Sequence, residues 1–169
     1  MAVRKRDRID VIVEQWRRER PDLDVAALAL LGRLFRVAEL AGTELARPLR
    51  ARGLDNGWFD LIAALRRAGP PYELHPTELM ATTLLSSGGM TKRIDRLVDA
   101  GLVERRPDPR DRRATLVRLT RRGKRTADAA LEIHVAGEES LLGALSQAER
   151  RTLDVLLRKL LQALDDPSR

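Results

Sequence analysis

The sequence predicts a mainly helical protein that carries one small β-hairpin. Three observations support this fold class. Leu and Ala are abundant and aromatic residues make up only 3% of the chain, a composition that favours helices. Apolar residues recur at helical spacing over most of the length. The exception is the run from Val103 to Leu119, which predicts two strands around a charged turn.

Composition sets the limits of the fold. A chain of 169 residues is long enough to bury its own core. No apolar run approaches the roughly 20 residues of a membrane span, and the basic N-terminus is not followed by a signal-peptide core. We therefore expect a cytoplasmic protein with no membrane partner. The sequence has no cysteine, which excludes disulfides and thiolate metal sites.

Two helices are predicted in the N-terminal third. The first covers Val3–Glu19, with apolar residues on one face, and Pro21 ends it. The second reaches about Arg52, and its length of about 45 Å is more than one small core covers. Pro48 lies inside this second pattern and should kink or break its last turns.

Three shorter helices should follow, each opened by a polar residue that accepts hydrogen bonds from the first turn. The predicted caps and ends are Asp55 or Asn56 to about Ala68, Thr77 before Glu78–Thr83, and Ser86 or Ser87 to Ala100. After the hairpin a long helix begins near Thr120. A capping box, Ser146 with Glu149, opens the last helix.

The helices at both ends of the chain have more apolar surface than their own domain requires. The last helix carries a leucine stripe: Leu153, Leu156, Leu157, Leu160, Leu161 and Leu164. Such faces either cover their own domain or pack against a second copy. We expect the second arrangement, a two-fold homodimer.

The net charge of +7 is concentrated in one block. Between Thr91 and Arg125 there are 13 Lys and Arg residues against five Asp and Glu, so the rest of the chain sums to −1. A GC-rich genome enriches arginine, which accounts for 28 of the 32 basic residues, but it would spread that charge evenly. The block therefore indicates a surface for a polyanion.

The basic block lies in a helix-turn-helix followed by a hairpin, the order of a winged module that binds double-stranded DNA. One face of the helix Ser87–Ala100 is small at its N-terminal end and basic further along, as entry into a major groove requires. Gly88 and Gly89 would each destabilise a helix by about 1 kcal/mol relative to alanine, and close approach of the backbone to DNA would compensate for this. The residues predicted to contact DNA here are Thr77, Ser86, Ser87, Gly88, Thr91, Lys92 and Arg96. The alternative is that the hydroxyl residues only cap the helix.

The hairpin tip is the predicted wing. Pro107 and Pro109 stiffen it, and Asp108 or Asp111 is expected to pair with one Arg and fix the loop. The predicted DNA contacts from the tip are Arg110 and Arg112, whose shape suits a narrow, electronegative minor groove. A merely solvated turn is the alternative.

These residues resemble a known family. The segments Pro76–Leu79, Met90–Leu97, Gly101–Arg105 and Asp108–Arg113, with Leu119, Thr120 and Gly123, closely resemble the MarR family of transcription regulators. The resemblance extends from about Val25 to Leu164. It implies a homodimeric winged-helix repressor with dimerising terminal helices, whose DNA binding a small ligand commonly attenuates.

The first helix resembles more closely one branch of that family, the urate-responsive regulators and relatives that respond to other small anions. By this resemblance the ligand site joins Trp16, Asp60, Arg93 and Arg105, although Phe59 shifts the Gly-Trp-Asp spacing by one. Arg93 shares a helical face with apolar residues, and a buried arginine needs a carboxylate or an anion. The alternative is a structural pair of Arg93 with Asp60, with Trp16 in the core.

No enzyme and no cofactor are predicted. His75 and His134 lie far apart, and the chain has no nucleophile motif and no phosphate-binding glycine loop. Two functions remain: a ligand-responsive, sequence-specific regulator that represses palindromic operators as a homodimer, or a low-specificity DNA-architectural protein. The predicted organisation is one structural domain with an extra helix at 1–20, a dimerisation region at 21–54 and 120–169, and a DNA-binding region at 55–119.

Overall fold

The computed structural model describes residues 6–54, 57–83, 89–111 and 113–166. The elements within these ranges are α1 (Arg8–Glu19), α2 (Ala26–Arg50), α3 (Trp58–Arg67), β1 (Glu73–Leu74), α4 (Pro76–Thr82), α5 (Met90–Asp99), β2 (Val103–Pro107), β3 (Thr115–Leu119), α6 (Arg121–Leu142) and α7 (Gln147–Asp165). The strands form one antiparallel sheet in the order β1-β3-β2. The predicted fold class, a mainly helical winged helix-turn-helix, is confirmed, with β1 as an unpredicted third strand. No helix in these ranges is both long and apolar enough to span a membrane.

The chain divides into two compact units, an N-terminal unit (Met1–Glu44) and a C-terminal unit (Leu45–Arg169). In the N-terminal unit α1 begins at Arg8, so the prediction that Arg6 and Asp7 are helical is wrong. Asp7 instead caps the helix. Its Oδ1 accepts a hydrogen bond from the Asp10 N–H and its own N–H donates to Asp10 Oδ2, each at 2.9 Å. This reciprocal pair satisfies two N–H groups that a helix start leaves without partners.

Arg33 of α2 holds the start of α1. Its Nε donates to Asp7 Oδ2 at 2.7 Å, and its Nη2 donates to Asp10 Oδ1. The pKa of the Asp7 carboxyl is lowered, first by the hydrogen bond from Arg33. The pKa of Asp10 is lowered first by the Asp7 N–H and, among other causes, by Arg33. Because both carboxylates are held ionised, the attachment is present above about pH 4 and is lost as the pH falls below it.

Replacing Arg33 by Ala is expected to release α1 from α2 at neutral pH, since both carboxylates lose their common partner. Hydrogen exchange of the α1 amides measures this release. Arg36→Ala is the matched control, because Arg36 pairs with Glu39 within α2. Equally slow α1 exchange in both variants would contradict the role of Arg33.

The core of the C-terminal unit lies between α3, α4, α5, the sheet and α6. Its most deeply buried large side chains are Leu61, Ile62, Leu65, Leu79, Leu97, Val103 and Val117. Gly123 brings the start of α6 against the turn between α5 and β2. A Cβ at this position would lie 1.8 Å from the Leu102 carbonyl oxygen. Only glycine permits this approach, which fixes α6 against the base of the wing.

The ends of α2 and the start of α3 differ from the predicted ones. The helix α2 continues through Pro48 and ends at Arg50, so the break falls after the proline rather than at it. The N-cap of α3 is Gly57, without a side-chain cap, and the helix begins at Trp58. The predicted caps Asp55 and Asn56 lie outside the described residues.

The caps of α4 and α5 also differ from the predicted ones. The N-cap of α4 is His75 rather than Thr77, because Pro76 suits the first helical position, where no N–H is needed. The helix α5 begins at Met90 after Gly89, whose φ of 87° is left-handed. Gly89 therefore imposes no cost on the helix, contrary to the prediction. The predicted start at Ser86 or Ser87 lies outside the described residues.

Candidate nucleic-acid interface

The helix α5 has a buried face and an exposed face. Met90, Ile94 and Leu97 are buried and fix the helix to the core. Thr91, Lys92 and Arg96, three of the predicted DNA contacts, are all exposed. A helix fixed along one side and small then basic along the other fits a major groove.

The N-terminal end of α5 adds a second favourable feature. Gly89 makes no side-chain hydrogen bond to the first turn, so within the described residues the N-cap leaves the first-turn N–H groups and the positive dipole end of the helix to another acceptor. Of the other predicted contacts, Thr77 is exposed in the first turn of α4. The predicted contacts Ser86, Ser87 and Gly88 fall outside the ranges that the structure describes.

The wing is a hairpin of β2 and β3, in register from Val103 opposite Leu119 to Pro107 opposite Thr115. Its loop is closed at the base by the Asp108 N–H, which donates to the Ala114 carbonyl at 3.0 Å. Arg110 is exposed in this loop. Arg112, the second predicted tip contact, lies outside the described residues.

Asp108 and Asp111 fix the loop, but through backbone donors. Asp108 Oδ1 accepts from the Arg110 N–H at 2.8 Å, and Asp111 Oδ1 accepts from the Arg113 N–H at 2.9 Å. The side-chain partner of Asp108 is a histidine: His75 Nε2 lies 3.1 Å from Asp108 Oδ2. The expected pairing of Asp108 with an Arg side chain is thus replaced by contacts that leave the Arg110 side chain exposed.

Three ion pairs connect the arginines of the wing strands to neighbouring elements. Arg105 Nη1 lies 2.6 Å from Asp95 Oδ1, which joins the start of the wing to α5. Arg118 and Arg106 both approach Glu73 of β1, at 3.9 and 4.0 Å. The arginines of the wing strands therefore have acidic partners on α5 and β1, while Arg110 is exposed in the loop.

The four residues predicted for a small ligand belong to both units. Trp16 is 46% exposed on α1 in the N-terminal unit. In the C-terminal unit Asp60 and Arg93 are half-buried, on α3 and α5, and Arg105 is exposed on β2. The pairing of Arg105 with Asp95 was not predicted, because the two residues lie on different elements. No group of three or more His, Cys, Asp or Glu residues in the described ranges could hold a metal ion.

This geometry, an exposed basic helix beside an arginine-tipped hairpin on a helical core, defines a winged-helix DNA-binding protein. A family model described as MarR family matches residues 52–114. The HTH-type transcriptional regulator PecS of Dickeya dadantii is 37% identical over 146 residues, covering 86% of this chain and 88% of its own. The chain belongs to the MarR family of transcription regulators. The prediction that it is not an enzyme is confirmed, since the relatives are transcription regulators.

Two solved structures of transcription regulators are similar to this chain. A mutant MarR of Escherichia coli bound to operator DNA is 29% identical with a TM-score of 0.70, over 81% of this chain and 97% of that one. BpsR of Bordetella bronchiseptica is 26% identical with a TM-score of 0.67, over 75% of this chain and 89% of that one. Its structure concerns the regulation of BpsR DNA binding by 6-hydroxynicotinic acid.

Proposed function

We propose that this regulator is a repressor that binds palindromic operators as a homodimer and leaves them when a small anionic or aromatic ligand binds. The observation that carries the proposal is the exposed face of α5, with Thr91, Lys92 and Arg96, in the same unit as a wing loop that exposes Arg110. The helix suits base edges in a major groove and the wing suits an adjacent minor groove.

The homodimer is supported by the apolar surface of the terminal helices. In α7 no residue is buried, and five leucines of the predicted stripe are exposed: Leu153, Leu156, Leu160, Leu161 and Leu164. In the N-terminal unit α2 exposes Leu30, Phe35 and Val37. Contiguous apolar surface of this kind typically marks an interface. Two copies related by a two-fold axis would present two α5 helices to successive major grooves of a palindrome.

The ligand response is supported by the position of two arginines. Arg93 and Arg105 lie on α5 and on the first strand of the wing, the two elements that would contact DNA. An anionic ligand such as urate or a related metabolite would attract both guanidinium groups, and Arg105 would exchange Asp95 for it. Asp60 would complete the site and Trp16 would stack on the ligand. Because α5 carries one of these arginines, binding would bias the position of the recognition helix.

The decisive experiment titrates labelled promoter DNA from the gene's own upstream region against random DNA at one fixed salt concentration. A specific repressor is expected to prefer its operator by about a thousandfold or more. A ratio below about tenfold would favour the DNA-architectural alternative, whose affinity comes from phosphate contacts alone.

Trp16→Ala is expected to leave operator affinity unchanged and to abolish release by the inducing ligand, because α1 carries none of the predicted DNA contacts. A thermal-shift screen of purines, aromatic acids and metabolite carboxylates first identifies the ligand. Release is then measured by operator titration with and without it. Trp16→Phe is the matched control, since it keeps a ring. Normal release in the Ala variant would reject the site.

A further inference from the structure

We infer that His75, at the start of the helix-turn-helix, is a positioning residue for the wing: its imidazole holds the buried Asp108 carboxylate, which in turn fixes Arg110. The inference rests on the proposed function, since it assigns His75 a part in operator recognition. It concerns a contact between residues 33 positions apart in the sequence.

Asp108 is the only charged side chain that is buried within the described ranges, with 9% of its surface exposed. A buried carboxylate is costly unless both oxygens have partners. One oxygen, Oδ1, accepts from the Arg110 N–H at 2.8 Å. The other, Oδ2, lies 3.1 Å from His75 Nε2. One carboxylate oxygen therefore contacts the wing loop, and the other contacts the start of α4.

These contacts set the direction of the wing loop. The Asp108 N–H closes the base of the loop on the Ala114 carbonyl at 3.0 Å, so the residue is fixed through its backbone and through both carboxylate oxygens. Arg110 is joined to Asp108 by its own N–H, with Pro109 between them. Loss of the contact between the imidazole and Asp108 would therefore shift the backbone that carries the Arg110 side chain.

The imidazole belongs to the capping box of α4, but the other half of that box does not depend on it. The Glu78 carboxylate closes the N-terminus of that helix by accepting from the His75 backbone N–H at 2.7 Å, and a substitution at residue 75 keeps this N–H. Pro76 starts the helix whichever side chain precedes it. The His75 side chain is also 33% exposed, so its removal opens no cavity in the core. Changing the imidazole should therefore move the wing and spare the helix-turn-helix.

The test compares His75→Leu, which removes the ring nitrogens, with His75→Gln, which retains an N–H donor. Operator affinity of His75→Leu should fall about tenfold, the size of one charge-assisted contact. Hydroxyl-radical footprints should lose protection in the minor groove beside each half-site and keep the protection that spans the major groove. His75→Gln should restore most of the affinity. His134→Leu is the matched control, because it removes the other imidazole, which pairs with Glu138 within α6.

A second readout needs no DNA. In the free protein the Arg110 amide should exchange faster in His75→Leu than in wild type, while the amides of α4 keep their rates. Unchanged Arg110 exchange, or an equal loss of protection across α4, overturns the inference. If wild-type protein lacks operator specificity but Arg110 exchange responds as expected, the proposed function fails and the positioning contact stands. A double variant with Asp108→Asn should show no exchange effect beyond that of either single change, and additive effects would overturn the coupling.

Discussion

Leu160→Glu is expected to convert the protein into a monomer whose affinity for operator DNA is lower by about a hundredfold or more. Leu160 is 44% exposed and Leu164 69% exposed, and with Leu156 they follow one another at helical spacing along α7. Full burial of one leucine contributes about 1.5–3 kcal/mol. A glutamate in that position would place an unpaired carboxylate in the interface and reverse the effect. Each monomer would then bind a half-site without the gain of linked binding, which is about 10²–10⁴.

Sedimentation and operator titration measure the two consequences separately. The variant should remain folded, because α7 has no buried residue in the single chain, and a thermal melt checks this. Arg158→Ala is the control on the same helix, since Arg158 is exposed and pairs with Asp154 one turn earlier. A dimeric Leu160→Glu protein with wild-type operator affinity would remove α7 from the interface.

Features determined by short stretches of sequence were predictable. The capping box of Ser146 and Glu149 was predicted from four consecutive residues and is present, with the Ser146 N–H donating to Glu149 at 2.8 Å. The two strands of the wing were predicted as well, because alternating residues and a charged, proline-containing turn lie within one short segment. In both cases the partners are neighbours in the chain, so local chemistry decides the structure.

Features that depend on distant partners were not predicted. The strand β1 has only two residues, and it exists because Glu73 and Leu74 pair with Arg118 and Val117. The contact of His75 with Asp108 likewise joins two segments that no periodicity relates. Thr77 was predicted as the cap of α4, but His75 takes that place because the following proline begins the helix. Tertiary packing decides the structure at β1 and at the contact of His75 with Asp108.

The candidate interface shows the same division. Charge counting located the basic block between Thr91 and Arg125 without any structure. It did not distinguish the arginines with acidic partners, such as Arg105 beside Asp95, from those left for another molecule. That distinction depends on which strand faces which helix. Arg110 is the exposed tip residue whose substitution tests this distinction most directly.

Arg110→Ala is expected to weaken operator binding by about tenfold to hundredfold, the 1–3 kcal/mol typical of one specific arginine contact with DNA. The side chain is exposed and its backbone is fixed to Asp108, so little conformational freedom is lost when it enters a minor groove. The fold and the dimer should be unaffected, because the substitution removes no buried atoms.

The experiment titrates operator DNA over a series of salt concentrations. Arg113→Ala is the matched control, since it removes an equal charge from the same loop. The Arg113 N–H, which donates to Asp111, is kept in this variant. If Arg110 contributes by entering the minor groove rather than by its charge alone, Arg110→Ala loses more operator affinity than Arg113→Ala. The affinity of Arg110→Ala should then also depend less on the bases that flank each half-site. Equal losses in the two variants, with the same change in salt dependence, would mean that the wing contributes only phosphate attraction. Recognition would then lie with α5 alone.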